Sequence, residues 1–271
     1  MTAQPPASSR LERLESLAVI EITGADAEVF LNGQLSNDVS GLLEGEQQLT
    51  SYNTPKGRVV AVLTLQREGD RLLAALPREL ADALLERLRK YVMRAKVALR
   101  IAVELAAFGT PDQPARLRFD DASAHPSPVA AHEALEAWKR AAVAAGLPQI
   151  YAATSEQFVA QMLNLDLVDG VSFRKGCYTG QEIIARTQNL GRIKRRMLRF
   201  AVQGAPAVSP GTAVRLGSYG PGTVVESART AAGDSELLAV VYLEPQTASG
   251  SDGAAGLDVR ELPLPYAVRD R

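Results

Sequence analysis

The sequence predicts an α+β protein that ends in a small β-barrel. In the first two thirds of the chain, runs of alternating apolar residues are separated by segments with apolar residues at helical spacing. From Arg192 onward, short β-rich runs alternate with Gly, Pro and Ser turns, as is typical of a barrel. We therefore expect an α+β region over residues 1–191, with room for two interleaved subdomains, and a β-barrel over residues 192–271.

Each element is predicted from its local pattern. Alternation over Leu17–Thr23 indicates a strand, and Pro77 is typical of the start of a helix, here one that runs to about Met93. Residues 1–16 are expected to form a loose tail and residues 109–131 an irregular connection. Further strands are expected at 47–53, 58–67, 71–76, 96–108, 197–203, 212–217, 222–229, 236–243 and 257–261, further helices around 29–31, at 132–145 and at 154–165, and a flexible loop at 245–256.

The composition excludes several kinds of site. With a net charge of −1, the molecule as a whole does not attract nucleic acid or acidic membranes. A single cysteine excludes an internal disulfide and a cluster held by this chain's cysteines alone, since iron–sulfur clusters usually need four thiolates. With two histidines a zinc site is not expected either, and no metal ligands are predicted. The chain shows no secretory signal pattern and no apolar run long enough to span a bilayer, which predicts a cytoplasmic protein.

A helix start is the clearest local feature between residues 161 and 197. Thr179 and Glu182 match a capping box ahead of an apolar pair, with Thr179 as the N-cap. A helix is therefore expected to begin at Gly180 and to end near Gly191, where glycine can take the left-handed conformation.

Cys177 lies two residues before that predicted N-cap. Arg174 and Lys175 are its near neighbours in the sequence. Because a helix N-terminus and adjacent cations both favour a thiolate, Cys177 is interpreted as an accessible, reactive thiol. The alternative is a small buried hydrophobic residue, which is a common role for a lone cysteine.

Positive charge is concentrated in residues 192–199, with the sequence RIKRRMLR. This stretch can form an anion-binding patch for a polyglutamate tail, RNA phosphates or an acidic partner, or it can be a solvated strand edge. The sequence alone favours neither interpretation. It contains no P-loop, no dinucleotide-binding glycine motif, no His-Glu metal helix and no nucleophile elbow.

The segment around Cys177 closely resembles the signature of the YgfZ family, which is similar in fold to the glycine-cleavage aminomethyltransferase. The resemblance rests on the eight residues KGCYTGQE at 175–182, extended by IIAR at 183–186, and it covers most of the chain. Further matching landmarks are GQLSND at 33–38, TPKGR at 54–58, YVMRAK at 91–96, Trp138 before Gly146, and ELPLPY at 261–266.

The resemblance implies a fold, a ligand and a role. It implies a ring-like arrangement of α+β domains with a C-terminal barrel, and tetrahydrofolate in the central opening. It also implies the maturation or repair of iron–sulfur enzymes, including those that modify tRNA, with client enzymes or cluster carriers as partners. Cys177 and Lys175 are then the catalytic residues, with Lys175 helping to keep the thiol ionised. The expected folate-contacting residues are Trp138, Leu17, Asp166, Tyr178, Gln181, Glu182 and Arg186.

Several of these residues also have a plain structural interpretation. Asp166 can be a solvated helix end, and Tyr178 can be a core tyrosine. Glu182 can serve the helix cap, with Arg186 pairing to it one turn later. The Asn-Asp pair at 37–38 is better explained by capping and an Asx turn than by ligand binding.

Two positions depart from the family pattern. Where the family can carry a second folate-contacting tryptophan, this chain has Leu17, which can pack against a pterin but cannot stack as an aromatic ring does. Where the aminomethyltransferase carries a catalytic aspartate, this chain has KGRVVA at 56–61, without a carboxylate. The second departure argues against glycine cleavage.

These observations favour a folate-binding accessory protein for iron–sulfur proteins, with Cys177 as its functional thiol. Because one chain offers one thiolate, any cluster is shared with another chain or with a small thiol such as glutathione. Two alternatives stay open. One is a tetrahydrofolate-dependent one-carbon transferase, with Asp166 and Asp38 as candidate acid/base groups. The other is a non-catalytic module that binds RNA or a partner protein.

Overall fold

The computed structural model describes residues 11–123, 131–190, 192–204, 207–230, 233–244, 255–257 and 259–268. Its strands are β1 Glu12–Arg13, β2 Leu17–Thr23, β3 Gln47–Asn53, β4 Val59–Glu68, β5 Arg71–Pro77, β6 Ala98–Ile101, β7 Leu105–Gly109, β8 Leu117–Asp121, β9 Arg195–Val202, β10 Ala213–Leu216, β11 Pro221–Arg229, β12 Ser235–Tyr242, β13 Ala255–Leu257 and β14 Val259–Leu262. Its helices are α1 Ala27–Gln34, α2 Arg78–Val92, α3 Ala131–Ala144 and α4 Gln181–Leu190, with short 3₁₀ helices at Ala160–Leu163 and Gly217–Tyr219. Within these ranges, no helix combines the length and the apolar character needed to cross a membrane.

The strands form three sheets. The first has five strands in the order β3-β4-β5-β2-β6, and the second has the order β1-β7-β8. The third is a barrel-like sheet with the order β13-β10-β11-β12-β9-β14, in which β13 runs parallel to β10. A bulge in β11 between Val224 and Glu226 shifts the register against β12, and such bulges re-aim side chains. The predicted α+β class with a C-terminal barrel is therefore confirmed.

Strand β2 shows how alternation divides the interior. Ile20 and Ile22 pack into the main core beneath α1 and α2, whereas Leu17 and Val19 face the other way and pack into a smaller core shared with the second sheet. The first sheet is thus covered on both faces, and a one-residue register slip would exchange them. Complete burial of Ile20 contributes about 1.5–3 kcal/mol to folding.

The barrel-like sheet also uses both faces. Leu198 and Phe200 of β9 belong to the barrel's own core, while Met197 packs into the main core together with Val225 and Val240. Helix α3 lies against β11 and against β1. The barrel is therefore joined to the rest of the chain by apolar packing as well as by the connecting segment.

Two predictions at the edges of the α+β region were wrong. Part of the predicted loose tail is β1, which pairs with β7, and Leu14 beside it is only 1% exposed. The predicted irregular connection contains β8, which also pairs with β7. Both strands are short, and β1 pairs with a strand that is far away in the sequence, which local sequence patterns do not reveal.

Three further element predictions need correction. The strand expected at 96–108 is two strands, β6 and β7, with a turn that leaves Val103 81% exposed. The helix expected at 154–165 is a series of turns with the 3₁₀ helix Ala160–Leu163. Of the loop expected at 245–256, residues 245–254 lie outside the described ranges, and β13 begins at Ala255.

Candidate functional site

A cavity of about 370 Å³ lies where the three sheets meet. Leu17 from the first sheet, Leu117 from the second and Glu226 from the third all line it. Its volume lies within the range of roughly 300–1,000 Å³ that is typical of small-molecule sites. We call it the central cavity.

Two of the predicted folate-contacting residues, Trp138 and Leu17, line the central cavity. Trp138 lies on α3, and its indole packs against Gly109 of β7, where an added Cβ would lie 2.6 Å from Nε1. Gly109 therefore leaves the space that the tryptophan occupies. Leu17 is 5% exposed and contributes an aliphatic surface to the same lining.

The polar part of the lining contains donors without partners. Among the described residues, Trp138 Nε1 and Gln48 Nε2 are buried and have no hydrogen-bond partner. A buried donor without a partner costs about 1–3 kcal/mol, so an acceptor on a bound molecule would lower this penalty. Next to them, Gln47 is fixed by the backbone N–H of Leu117, which donates to its side-chain oxygen at 2.9 Å. An apolar lining with a few hydrogen-bonding groups is typical of a small-molecule site.

The structure does not bring Asp166 to the central cavity. Its two carboxylate oxygens accept hydrogen bonds from Arg196 at 2.6 and 2.9 Å, and the two side chains are 1% and 2% exposed. The same guanidinium donates to the carbonyl of Gln161 at 2.8 Å. Because this bidentate pair occupies the carboxylate, Asp166 neither faces the ligand site nor forms a solvated helix end.

Lys175 is an anchor for the loop that carries Cys177. Its ammonium group donates to the carbonyls of Asn32, Leu35 and Asn37 at 2.6, 2.8 and 2.8 Å. An ammonium has three protons, so these carbonyls at the C-terminal end of α1 use all of its donors. Lys175 therefore holds the loop in place, while its role in keeping the Cys177 thiol ionised stays a prediction.

The electrostatics of this anchor follow from its burial. Burial lowers the pKa of Lys175 to about 8, and the charge of Asp38 opposes that shift. The pKa of Asp38 is itself lowered, first by the hydrogen bond from the Ser40 hydroxyl at 2.6 Å. The Ser40 N–H also donates to Asp38, at 3.0 Å, which is the Asx turn expected at this position.

A second contact positions the same loop through close backbone packing. Gly180 has a φ of +85°, and a Cβ there would lie 2.6 Å from the Thr54 carbonyl oxygen. Gly57, with a φ of +70°, has the Cβ of Ile183 at 2.8 Å from its own ideal Cβ position. The turn at 54–58 therefore packs against the start of α4, and only glycine fits at both positions.

Three landmarks that are distant in the sequence thus meet around the thiol loop. The segment 33–38 binds Lys175, the turn 54–58 packs on Gly180, and the loop itself belongs to 175–182. Cys177 is a free, exposed thiol in this loop. Within the described residues, no group of three or more His, Cys, Asp and Glu side chains could hold a metal ion.

Helix α4 begins one residue later than predicted. Its first residue is Gln181, so Gly180 and not Thr179 precedes the helix, and the predicted end at Gly191 lies outside the described ranges. Tyr178 is 7% exposed and belongs to the main core, and burial raises its pKa to about 12. The structure does not place Tyr178, Gln181, Glu182 and Arg186 in the lining of the central cavity.

The basic stretch 192–199 is largely paired with acidic groups. Arg196 is the buried partner described above, Arg199 pairs with Glu236 at 2.5 Å, and Arg192 pairs with a further glutamate at 2.7 Å. The guanidinium of Arg195 lies over an aromatic ring, 5.2 Å from its centroid. The stretch therefore presents less positive charge to an anionic partner than its sequence suggests.

Sequence reasoning missed Glu226, which lines the central cavity. It is 4% exposed, it accepts a hydrogen bond from the hydroxyl of Tyr151, and burial raises its pKa. Asp169, an exposed residue with a φ of +53°, also lines the cavity. The available signal was a single acidic residue that directly follows the apolar pair Val224 and Val225 of β11.

Comparison with known proteins gives relatives along nearly the whole chain. Three proteins named tRNA-modifying protein YgfZ, from Cronobacter sakazakii, Enterobacter sp. strain 638 and Klebsiella pneumoniae strain 342, are each 29% identical to it. Each alignment covers 98% of this chain and 97% of the relative. No protein-family model matches the chain.

The fold has a counterpart of known structure. The glycine cleavage system aminomethyltransferase T from Bartonella henselae superposes with a TM-score of 0.66, covering 86% of this chain and 78% of that protein, at 14% identity. The resemblance predicted from the sequence is therefore confirmed: the chain is similar to the YgfZ proteins over nearly its whole length, and its fold is that of aminomethyltransferase T.

Proposed function

We propose that this protein is a folate-binding accessory factor for the assembly or repair of iron–sulfur proteins, including enzymes that modify tRNA, and that Cys177 is its functional thiol. The central cavity carries the folate part of the proposal. Trp138 and Leu17 give it apolar surfaces, and the unpaired donor of Gln48 gives it a group that an acceptor on the pterin can satisfy. The aminomethyltransferase T fold and the name of the relatives support the same direction.

The thiol part rests on the placement of Cys177. The residue is exposed, while its loop is anchored on one side by Lys175 and on the other by Gly180. A fixed, accessible thiol suits a nucleophile, a redox partner, or one ligand of a persulfide or cluster in transit. Such chemistry needs a reduced thiol, which places the proposed activity in the cytoplasm.

Any cluster handled here is cargo that several chains hold together. One chain supplies one thiolate, and iron–sulfur clusters usually need four. The remaining ligands then come from a client, a carrier protein or a small thiol. We expect the isolated protein to show no stable iron–sulfur absorbance after anaerobic reconstitution, and a stable cluster on the monomer would contradict this account.

Asn37 connects the central cavity to the thiol loop. Its side chain lines the cavity and donates to the backbone carbonyls of Leu49 and Asp169 at 2.9 and 2.6 Å. Its own carbonyl accepts from Lys175 at 2.8 Å. A molecule that displaces or orders Asn37 therefore acts on the anchor of the Cys177 loop.

A one-carbon transferase is the second candidate, because the structure supplies an acid/base group that the sequence did not identify. Glu226 lines the central cavity and has a raised pKa, whereas Asp166 and Asp38 are occupied by other partners. The RNA-binding alternative is less favoured, since Arg196 and Arg199 of the basic stretch are paired with carboxylates.

The proposal is tested with Cys177→Ser in a strain that lacks its own copy of the gene. Wild type, Cys177→Ser and Val103→Ser are expressed at equal soluble levels, and the product of an iron–sulfur tRNA-modifying enzyme is quantified by mass spectrometry. Val103→Ser is the matched control because it changes another exposed residue to serine, in the turn between β6 and β7. Binding of 5-formyltetrahydrofolate, an air-stable reduced folate, is measured on the same purified proteins.

We expect Cys177→Ser to bind the folate as wild type does and to fail in restoring the modified nucleoside, while Val103→Ser restores it. Full rescue by Cys177→Ser would show that the signature is a structural loop and would leave folate binding and partner docking as the function. Absence of folate binding by wild type would contradict the cavity assignment.

A further inference from the structure

Glu226 lies between two cavities. It lines the central cavity, and it also lines a second cavity of about 470 Å³ that is bordered by α3, by residues 151–153 and by residues 207–210. The residue is 4% exposed, on the strand β11 just after the bulge. A nearly buried carboxyl group that lines a cavity of this size is placed to contact a bound molecule.

The hydrogen bonds of Glu226 leave acceptor capacity unused. Tyr151 donates its hydroxyl proton to Oε2, and the backbone N–H of Ser227 donates to Oε1 at 2.9 Å. A carboxylate offers about four lone-pair sites, so these two bonds, made by described residues, leave roughly two. The Ser227 hydroxyl, in a residue 6% exposed that lines the second cavity, is buried without a partner among the described residues.

The surrounding charges do not neutralise this carboxyl. On α3, Lys139 favours its ionised form and Glu136 opposes it, while burial is the largest influence and raises the pKa of Glu226. No described cation is ion-paired with it. Glu136 accepts from the N–H of Arg229 at 3.0 Å.

Two further acidic groups face this region. Glu79, at the start of α2, also lines the second cavity and accepts from the N–H of Ala152 at 2.7 Å. Asp169 is the other carboxyl in the lining of the central cavity, and its residue is exposed. Glu226 is therefore the buried acidic group of the central cavity.

We propose that Glu226 is the recognition carboxyl of the central cavity: it accepts the amino and ring N–H donors of a nitrogen heterocycle and releases its proton when that ligand binds. The inference rests on the proposed function and names the residue that forms hydrogen bonds with the heterocycle. One O–H bond of Glu226 breaks, the proton passes to the buffer, and two N–H···O hydrogen bonds form, with no oxidation or reduction. Hydrogen bonds from Tyr151 and from the Ser227 N–H already stabilise the carboxylate form of Glu226, and two further donors from the ligand stabilise it more.

The test is isothermal titration of the full chain with 5-formyltetrahydrofolate at several pH values, in phosphate and in Tris. These buffers differ in ionisation enthalpy, so the difference in measured heat gives the number of protons released. We expect wild type to release up to one proton per ligand, and its affinity to rise with pH. In Glu226→Gln the amide oxygen still accepts from Tyr151, so the fold is retained, while affinity falls roughly 10–100-fold, as for the loss of a charged hydrogen-bonding group. Proton release in this variant disappears.

Two further variants separate recognition from structure. Tyr151→Phe keeps the carboxyl and removes one donor, so we expect weaker binding and a shift of the pH dependence to higher pH. Glu136→Gln changes a carboxyl that lines only the second cavity, and we expect its affinity to stay within twofold of wild type.

The outcomes separate the two levels of the argument. The inference is overturned if wild type and Glu226→Gln bind the folate equally well, or if wild type binds it without releasing a proton at any pH. Glu226 then only stabilises the structure, and the folate proposal still stands. If wild type does not bind the folate at all, both are overturned. Because the proton count is measured on wild type, the inference stays testable even if a variant fails to fold.

Discussion

The ion pair of Asp166 and Arg196 allows a quantitative test of how the barrel is joined to the α+β region. Changing Asp166→Asn leaves the guanidinium of Arg196 charged, 2% exposed and without its bidentate partner. Removing one member of a buried ion pair costs about 3–5 kcal/mol. Since whole domains are stable by roughly 5–15 kcal/mol, this loss should give a large fall in the urea midpoint, followed by circular dichroism.

Both charges must be removed to recover stability. In the double variant with Asp166→Leu and Arg196→Met no charge stays buried, so the free energy of unfolding should return to within about 1–2 kcal/mol of wild type. Arg199→Met is the control on the same strand, because its pair with Glu236 is 17% and 22% exposed and should contribute about 1 kcal/mol or less.

The same variants decide between the sequence-based and structure-based roles of Asp166. The structure places the carboxylate on Arg196 and away from the central cavity, so folded Asp166→Asn should bind 5-formyltetrahydrofolate within twofold of wild type. A cost below about 1 kcal/mol would refute the reasoning on buried charge. A tenfold loss of affinity in the folded variant would show that Asp166 does contact the ligand.

Three further predictions follow from the cavity lining and from the anchor of the thiol loop. Gly109→Ala should displace the cavity tryptophan, whose Nε1 lies 2.6 Å from the added Cβ, and should weaken folate binding. Gly33→Ala is the control, because no atom lies within 4 Å of its added Cβ. Intrinsic tryptophan fluorescence and titration with the folate check both variants. Lys175→Met should raise amide hydrogen exchange across 172–180 by roughly tenfold, because three hydrogen bonds are lost, while Arg174→Met leaves it unchanged. Burial holds the pKa of Lys175 at about 8, below its usual 10.5, so the unfolded chain binds more protons than the folded chain between these pH values. The free energy of unfolding should therefore rise with pH over this window, and it should rise more in wild type than in Lys175→Met. Equal slopes for the two proteins in urea titrations would contradict this.

The parts of the fold that sequence predicts are those with a strong local pattern. The alternation in β2 and the turn-rich runs of β9 to β12 predict their strands, and the apolar face of α2 predicts its helix. Strands β1 and β8 have no such pattern, because β1 has two residues and β8 reads LRFDD. Their pairing with β7 is a tertiary contact, and tertiary context overrides weak local preference.

For the candidate site, too, some residues could be found from the sequence and others only from the structure. The family resemblance points to Cys177 and Trp138; in the structure Cys177 is exposed and Trp138 lines the central cavity. Asp166 was assigned to the ligand from the family resemblance, and its pairing with Arg196, 30 residues away, is not visible in the local sequence. Glu226 was missed because the burial of one acidic residue in a strand is set by the elements that pack over it, and these include Tyr151 in a distant loop.

The proposed folate site and the proposed thiol share one short segment. Residues 36–38 lie between them: Ser36 binds the carbonyl of Gly170 at 2.7 Å, and Asn37 faces the cavity while its carbonyl holds Lys175. A folate that contacts the Asn37 side chain changes the free energy of the segment that anchors the Cys177 loop, and by linkage the state of that loop changes folate affinity equally. Under the proposed function, occupancy of the cavity would therefore regulate the single cysteine without any contact between the thiol and the folate.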